Sequence, residues 1–106
     1  MRIFLCVWKG CERYESLYAI GDVQKIFPDG VDTAPSDLVP YQRRIEEVLL
    51  ESNDEDKIVF NGPAWLIALV GHAWYANEHR QHHNVLVFSR EKKAYVPLSL
   101  GAIDDY

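Results

Sequence analysis

Ile58-Val-Phe-Asn-Gly-Pro-Ala-Trp-Leu-Ile-Ala-Leu-Val-Gly-His-Ala-Trp-Tyr-Ala-Asn-Glu-His-Arg-Gln-His-His83 joins a short apolar strand to a helix with almost no polar residue, and ends in a loop holding three of the four histidines. Asn61-Gly62-Pro63 makes the join. Gly62 permits close backbone approach, and Pro63 suits the first helical position, where a missing N–H costs nothing. The N–H groups of that first turn and the helix dipole then favour a small anion. An ordinary tight junction capped by Asn61 or Gly62 fits the same residues. Any chemistry should sit at the two ends of this helix.

Working outward, Ile3 to Trp8 is apolar at successive positions, as a central strand covered on both faces must be. Arg13 to Asp22, with Tyr14, Leu17, Tyr18 and Ile20, reads as a second, more exposed strand, and Phe27-Pro28-Asp29-Gly30 as a turn. From Pro40, the residues Tyr41, Ile45, Val48 and Leu49 recur at helical spacing, with Arg43, Arg44, Glu46, Glu47 and Glu51 opposite. Ser52 to Asp56 reads as a solvated acidic connection, and Ile58 to Phe60 as the third strand. The second helix, Pro63 to Asn77, has apolar side chains all round and is expected to be buried nearly everywhere, with His72 among them donating to a backbone carbonyl. Val85 to Phe88 and Ala94 to Leu98 complete a hairpin across Ser89 to Lys93. The order is β-β-α-β-α-β-β, an α/β sandwich with a mixed sheet.

At 106 residues the chain has room for one domain, residues 1–106, with a single core. Eleven basic against 16 acidic residues give a net charge of −5, without the broad basic surface that binds long nucleic acids. A local anion site remains compatible with that balance. The opening MRIFLCVWKGCE has too short an apolar stretch for a signal peptide, and no apolar run reaches the ~20 residues that cross a bilayer. The expectation is a soluble cytoplasmic protein with no membrane partner. Cys6 and Cys11 match no zinc spacing and read as structural.

His79, His82 and His83 would share one side of a continued helix, within reach of a metal, although no cysteine or aspartate completes a ligand set. Solvated loop histidines are the alternative. Arg90, Lys92 and Lys93 are either a solvated turn or, with Arg80, the positive end of an anion pocket. There is no GxSxG and no HExxH.

Gly62-Pro63-Ala64-Trp65-Leu66, then His72, then His82-His83 leading into Val85 to Phe88 and a charged hairpin, resembles the small ring nucleases of type III CRISPR systems. The resemblance spans Ile58 to Val96. It implies a small α/β domain that forms homodimers, binds a cyclic oligoadenylate and cleaves its phosphodiesters with manganese. His82, with His83 beside it, is then the catalytic position, and Gly62 and Pro63 lie at the ligand or dimer surface. Asn61, Arg80, Arg90 and Lys92 join them as ligand contacts on their residue chemistry, not on the resemblance. The chain departs from the pattern in its hairpin, where Ser89-Arg90-Glu91 replaces Asp-Pro-Arg, and at Pro97 to Leu100, which lacks a histidine. A sponge or sensor that holds the ring without cutting it is the alternative reading, and an interaction domain built on the apolar helix is a third.

Overall fold

The computed structural model describes residues 1–7, 13–32, 35–76 and 84–98. Three strands, β1 (Arg2–Leu5), β2 (Asp22–Lys25) and β3 (Lys57–Val59), form a parallel sheet in the order β2-β1-β3. Strands β4 (Leu86–Ser89) and β5 (Ala94–Pro97) form an antiparallel hairpin. A parallel bridge between Ile58 and Val85 sets β4 beside β3, which extends the order to β2-β1-β3-β4-β5. The mixed α/β architecture follows the expected element order, with β1 at the centre of its sheet.

Side-chain alternation along β1 builds two cores. Phe4 and Cys6 face one way and join Ile26, Ile45, Ile58, Leu66, Val70 and Trp74 beneath two helices, α1 (Val39–Leu50) and α2 (Ala64–Tyr75). Phe4 meets Trp74 edge-on, with ring centroids 6.2 Å apart. The Cys6 thiol donates to the Val59 carbonyl at 3.4 Å, as a structural cysteine does; Cys11 lies outside the described residues. Ile3 and Leu5 face the other way and pack with Val59, Leu86, Tyr95 and Leu17.

Leu17 comes from a 3-10 helix, Tyr14–Ala19, where the sequence suggests a strand. Tyr14, Leu17 and Ile20 recur at every third position, the period of that helix, and only Leu17 is buried. The second strand begins where the helix stops, at Asp22. The chain thus leaves β1 toward β2 over one face, and returns through α1 and α2 over the other. Parallel crossovers of one hand that run in opposite directions along a sheet must use opposite faces.

Helix α2 corrects a second expectation. Its inward stripe is Leu66, Val70 and Trp74, whereas Ala64, Ala68, His72 and Tyr75 are exposed. Uncharged does not here mean buried, because alanine and glycine present little area to hide. His72 is accordingly not a core histidine. No helix among the described residues is long and apolar enough to cross a membrane.

The amino edge of the sheet is held by Asp56, which the sequence places in a solvated run but which is fully buried. Its carboxylate accepts from the backbone N–H groups of Arg2 and Asn53, both at 2.9 Å, and faces the Arg2 guanidinium at 3.4 Å. Asn84, just ahead of β4, donates to the carbonyls of Asp54 and Asp56 at 3.2 and 3.3 Å. Burying this carboxylate is tolerable because each oxygen has a donor.

Candidate ligand site at the carboxyl edge

In open sheets of this kind ligands settle outside the carboxyl ends of the strands, where neighbouring connections depart to opposite faces. Here that point lies between β1, whose chain leaves over the 3-10 face, and β3, whose chain leaves over the helical face. Leu5 pairs with Val59, so Val7 stands level with Asn61. The Asn61 side chain spans the gap, accepting from the Val7 N–H at 3.2 Å and donating to the Val7 carbonyl. It is a brace across the crevice as well as a candidate ligand contact.

Gly62 follows with φ of +110°, a conformation that L side chains rarely adopt. A Cβ there would stand 3.2 Å from both Leu66 and Val7. Pro63 is extended, with φ −65° and ψ 153°, and precedes the helix rather than opening it. Its carbonyl accepts from the N–H groups of Leu66 and Ile67 at 3.0 and 3.1 Å. The first turn of α2 carries no side-chain cap from Pro63, so the helix dipole faces the crevice.

An aromatic row borders this edge on the helical side. Phe27 follows β2, Tyr41 lies in the first turn of α1 and Trp65 in the first turn of α2. Their rings meet in sequence, Phe27 to Tyr41 at 5.6 Å and Tyr41 to Trp65 at 5.1 Å between centroids. Tyr41 also donates to the Asp32 carboxylate at 3.1 Å, fixing the middle ring.

The β4–β5 hairpin borders the same edge on the other side. Because Ile58 is level with Val85, Asn61 is level with Phe88, and residues 90–93 project beyond it. Arg90 and Lys93 line a cavity of about 320 Å³ with Phe88 and with Arg13, which begins the 3-10 helix. Lys92 stays in the turn, its N–H donating to the Ser89 hydroxyl at 3.2 Å, and does not line this cavity. Arg13 is the residue that sequence reasoning missed. Reading residues 14–20 as a strand hid the fact that the connection starts at the carboxyl edge.

The structure thus brings Asn61, Gly62 and Pro63 to the same edge as Arg90 and Lys92. His79, Arg80, His82 and His83 lie outside the described residues. His72 is far from this edge: α2 runs away from it, and eight residues of helix carry His72 about 12 Å from Ala64. It instead lines a groove of about 410 Å³ between the helices, with Ile45, Leu49 and Leu69. Among the described residues no group of three or more histidine, cysteine, aspartate or glutamate side chains is placed to hold a metal. The cavity lined by Arg13, Arg90 and Lys93 does not itself suit manganese, since these cations would repel a divalent ion.

No family model, curated protein or solved structure compared with the chain matches it.

Proposed function

We propose that the protein binds a cyclic oligoadenylate across the carboxyl edge of its sheet and cleaves it as a ring nuclease, acting in the cytoplasm. The observation that supports this reading is that cations and aromatic rings flank one crevice. Arg13, Arg90 and Lys93 stand on one side of the Asn61-Gly62 turn, and the partly exposed rings of Tyr41 and Trp65, with Phe27 buried behind Tyr41, stand on the other. Phosphodiesters suit the first group, and adenine bases, each with a stackable face, suit the second. A local cluster of this kind also suits an acidic chain, because the rest of the surface does not attract long nucleic acids.

Cleavage on this reading needs no metal step. The ribose 2′-hydroxyl loses its proton to an imidazole and attacks phosphorus, forming the 2′-O–P bond as the P–O5′ bond breaks. An imidazolium returns a proton to the departing 5′-oxygen. His82 is proposed for these transfers, with His83 as its neighbour, and Arg90 for the charge on the phosphorane oxygens. A homodimer suits the ligand, since a two-fold axis repeats the edge contacts for a repeating ring. The uncharged outer face of α2, with Ala64, Ala68 and Tyr75 exposed, is the surface proposed for it.

The sponge reading is favoured by one feature, the serine at position 89 where the resembling family has the aspartate of its hairpin. The two separate on incubation with labelled cyclic tetra- and hexa-adenylate, with and without manganese, followed by product separation. The nuclease yields linear or 2′,3′-cyclic phosphate ends without added manganese, and His82→Ala loses about 10²-fold or more in rate while still binding. An intact ring that stays bound for hours identifies a sponge. No binding of either ring at micromolar protein ends both readings, and monomeric mass in light scattering over a hundredfold concentration range ends the dimer.

A further inference from the structure

The cavity beside the hairpin has a composition that folding alone does not require. The chain carries 16 acidic residues against 11 basic ones. Yet among the described residues the walls of this cavity are Arg13, Arg90, Lys93 and the ring of Phe88, with no carboxylate. Three like charges around one space raise the local positive potential, which favours an anion there. Both ion pairs found among the described residues engage Arg2, at the opposite edge of the sheet, and neither draws on Arg13 or Lys93.

The backbone under these cations is equally specific. Arg13 and Lys93 have φ of 49° and 53°, and they are the non-glycine residues in the left-handed region among those described. Glycine or asparagine would hold that conformation at less cost. Both positions instead carry a long cationic side chain that lines the same cavity. The Arg13 guanidinium lies 5.9 Å from the centroid of the Phe88 ring, and Phe88 is itself held edge-on against Tyr95 at 5.3 Å. Stacking orients the planar head, leaving its N–H edges for a bidentate acceptor.

We infer that this cavity is a phosphate subsite, in which Arg13, Lys93 and Arg90 take the oxygens of one phosphate group and Phe88 forms the apolar wall beside its ester substituent. A volume of about 320 Å³ lies at the lower end of the range for small-molecule sites, which suits one phosphate ester rather than a whole oligonucleotide ring. The subsite accepts any accessible phosphate ester, so it stands apart from the choice of ring as ligand.

The test is calorimetric titration of the full chain at low salt with inorganic phosphate, adenosine 5′-monophosphate, adenosine and cyclic tetra-adenylate, on wild type, Lys93→Gly and Arg13→Gly. Glycine removes each charge while suiting the left-handed backbone, so both variants should melt no lower than wild type. Phosphate and the monophosphate should bind and adenosine should not, with affinity about tenfold or more weaker in each variant, as expected for loss of a charge-assisted hydrogen bond. Equal binding by wild type and both variants overturns the inference, as does adenosine binding as well as its monophosphate, or no heat with phosphate and monophosphate at millimolar concentration. Cyclic tetra-adenylate bound equally by all three proteins would leave the ring reading standing and remove the subsite. Monophosphate binding that both variants lose, without any ring binding, would support the subsite alone.

Discussion

Replacing Gly62 by alanine tests the turn on which the crevice depends. With φ at +110°, an L residue there pays a backbone cost of about 1–3 kcal/mol. The new methyl carbon would also lie 3.2 Å from Leu66 Cδ2 and from Val7 Cγ2, and both neighbours are buried, so each must give by a few tenths of an ångström in a packed core. Against this, alanine narrows the unfolded ensemble by about 0.4–1 kcal/mol. The balance is a loss of about 2 kcal/mol, which lowers Tm by about 10 °C in a domain of this size. Gly71 supplies the internal control. It lies in α2, and a Cβ added there would meet nothing within 4 Å, so Gly71→Ala should gain about 0.5–1 kcal/mol of helix propensity and raise Tm by a few degrees. Thermal melts followed by tryptophan fluorescence and far-ultraviolet circular dichroism read both variants. A Gly62→Ala protein that melts within 2 °C of wild type, or the two alanines shifting Tm in the same direction, would refute the reasoning.

Asp56→Ala removes the acceptor for the Arg2 and Asn53 N–H groups at a buried site and should cost about 3 kcal/mol in urea unfolding, whereas a loss under 1 kcal/mol would mean that water replaces the carboxylate freely. His72→Ala, at an exposed position, should change stability by no more than about 0.5 kcal/mol, and a larger drop would restore a core role for this imidazole. Although the Tyr75 side chain is largely exposed, partial desolvation raises its phenol above the ordinary value of 10.0, so the folded state holds that proton somewhat more tightly than the unfolded chain. The resulting contribution to stability is complete below pH 10 and declines as pH rises through the folded value. Ultraviolet difference titration of wild type against Tyr75→Phe should show this late ionisation, and a phenol that ionises at or below the ordinary value would contradict it.

The sheet was legible wherever apolar residues alternate without interruption. Ile3 to Leu5 signals burial on both faces, and that is what the two cores deliver. Helix α1 was equally readable, because Ile45 and Val48 face inward while Arg43, Arg44, Glu46 and Glu47 are exposed. Misreadings arose where residue type stands in for area. Ala64 and Ala68 count as apolar yet leave α2 half open, and Asp56 counts as charged yet fills a buried joint. The candidate site was legible only in part. Asn61, Gly62 and Arg90 sit in recognisable turns, but Arg13 is 77 residues from Arg90 in the chain. Their meeting depends on which edge the first connection leaves from, and local periodicity carries no information about that.

The buried carboxylate at the amino edge has a consequence for how this molecule can change. Asp56 and Asn84 fasten the starts of β1, β3 and β4 to one another, far from the turns at the opposite rim. Register is therefore set at one end, and the hairpin from Arg90 to Lys93 inherits its position without having to determine it. Length and charge in that hairpin can drift, lengthen or be exchanged while the sheet stays in step. A family built on this arrangement would vary its ligand chemistry at the free rim and keep Asp56 as its fixed hinge pin.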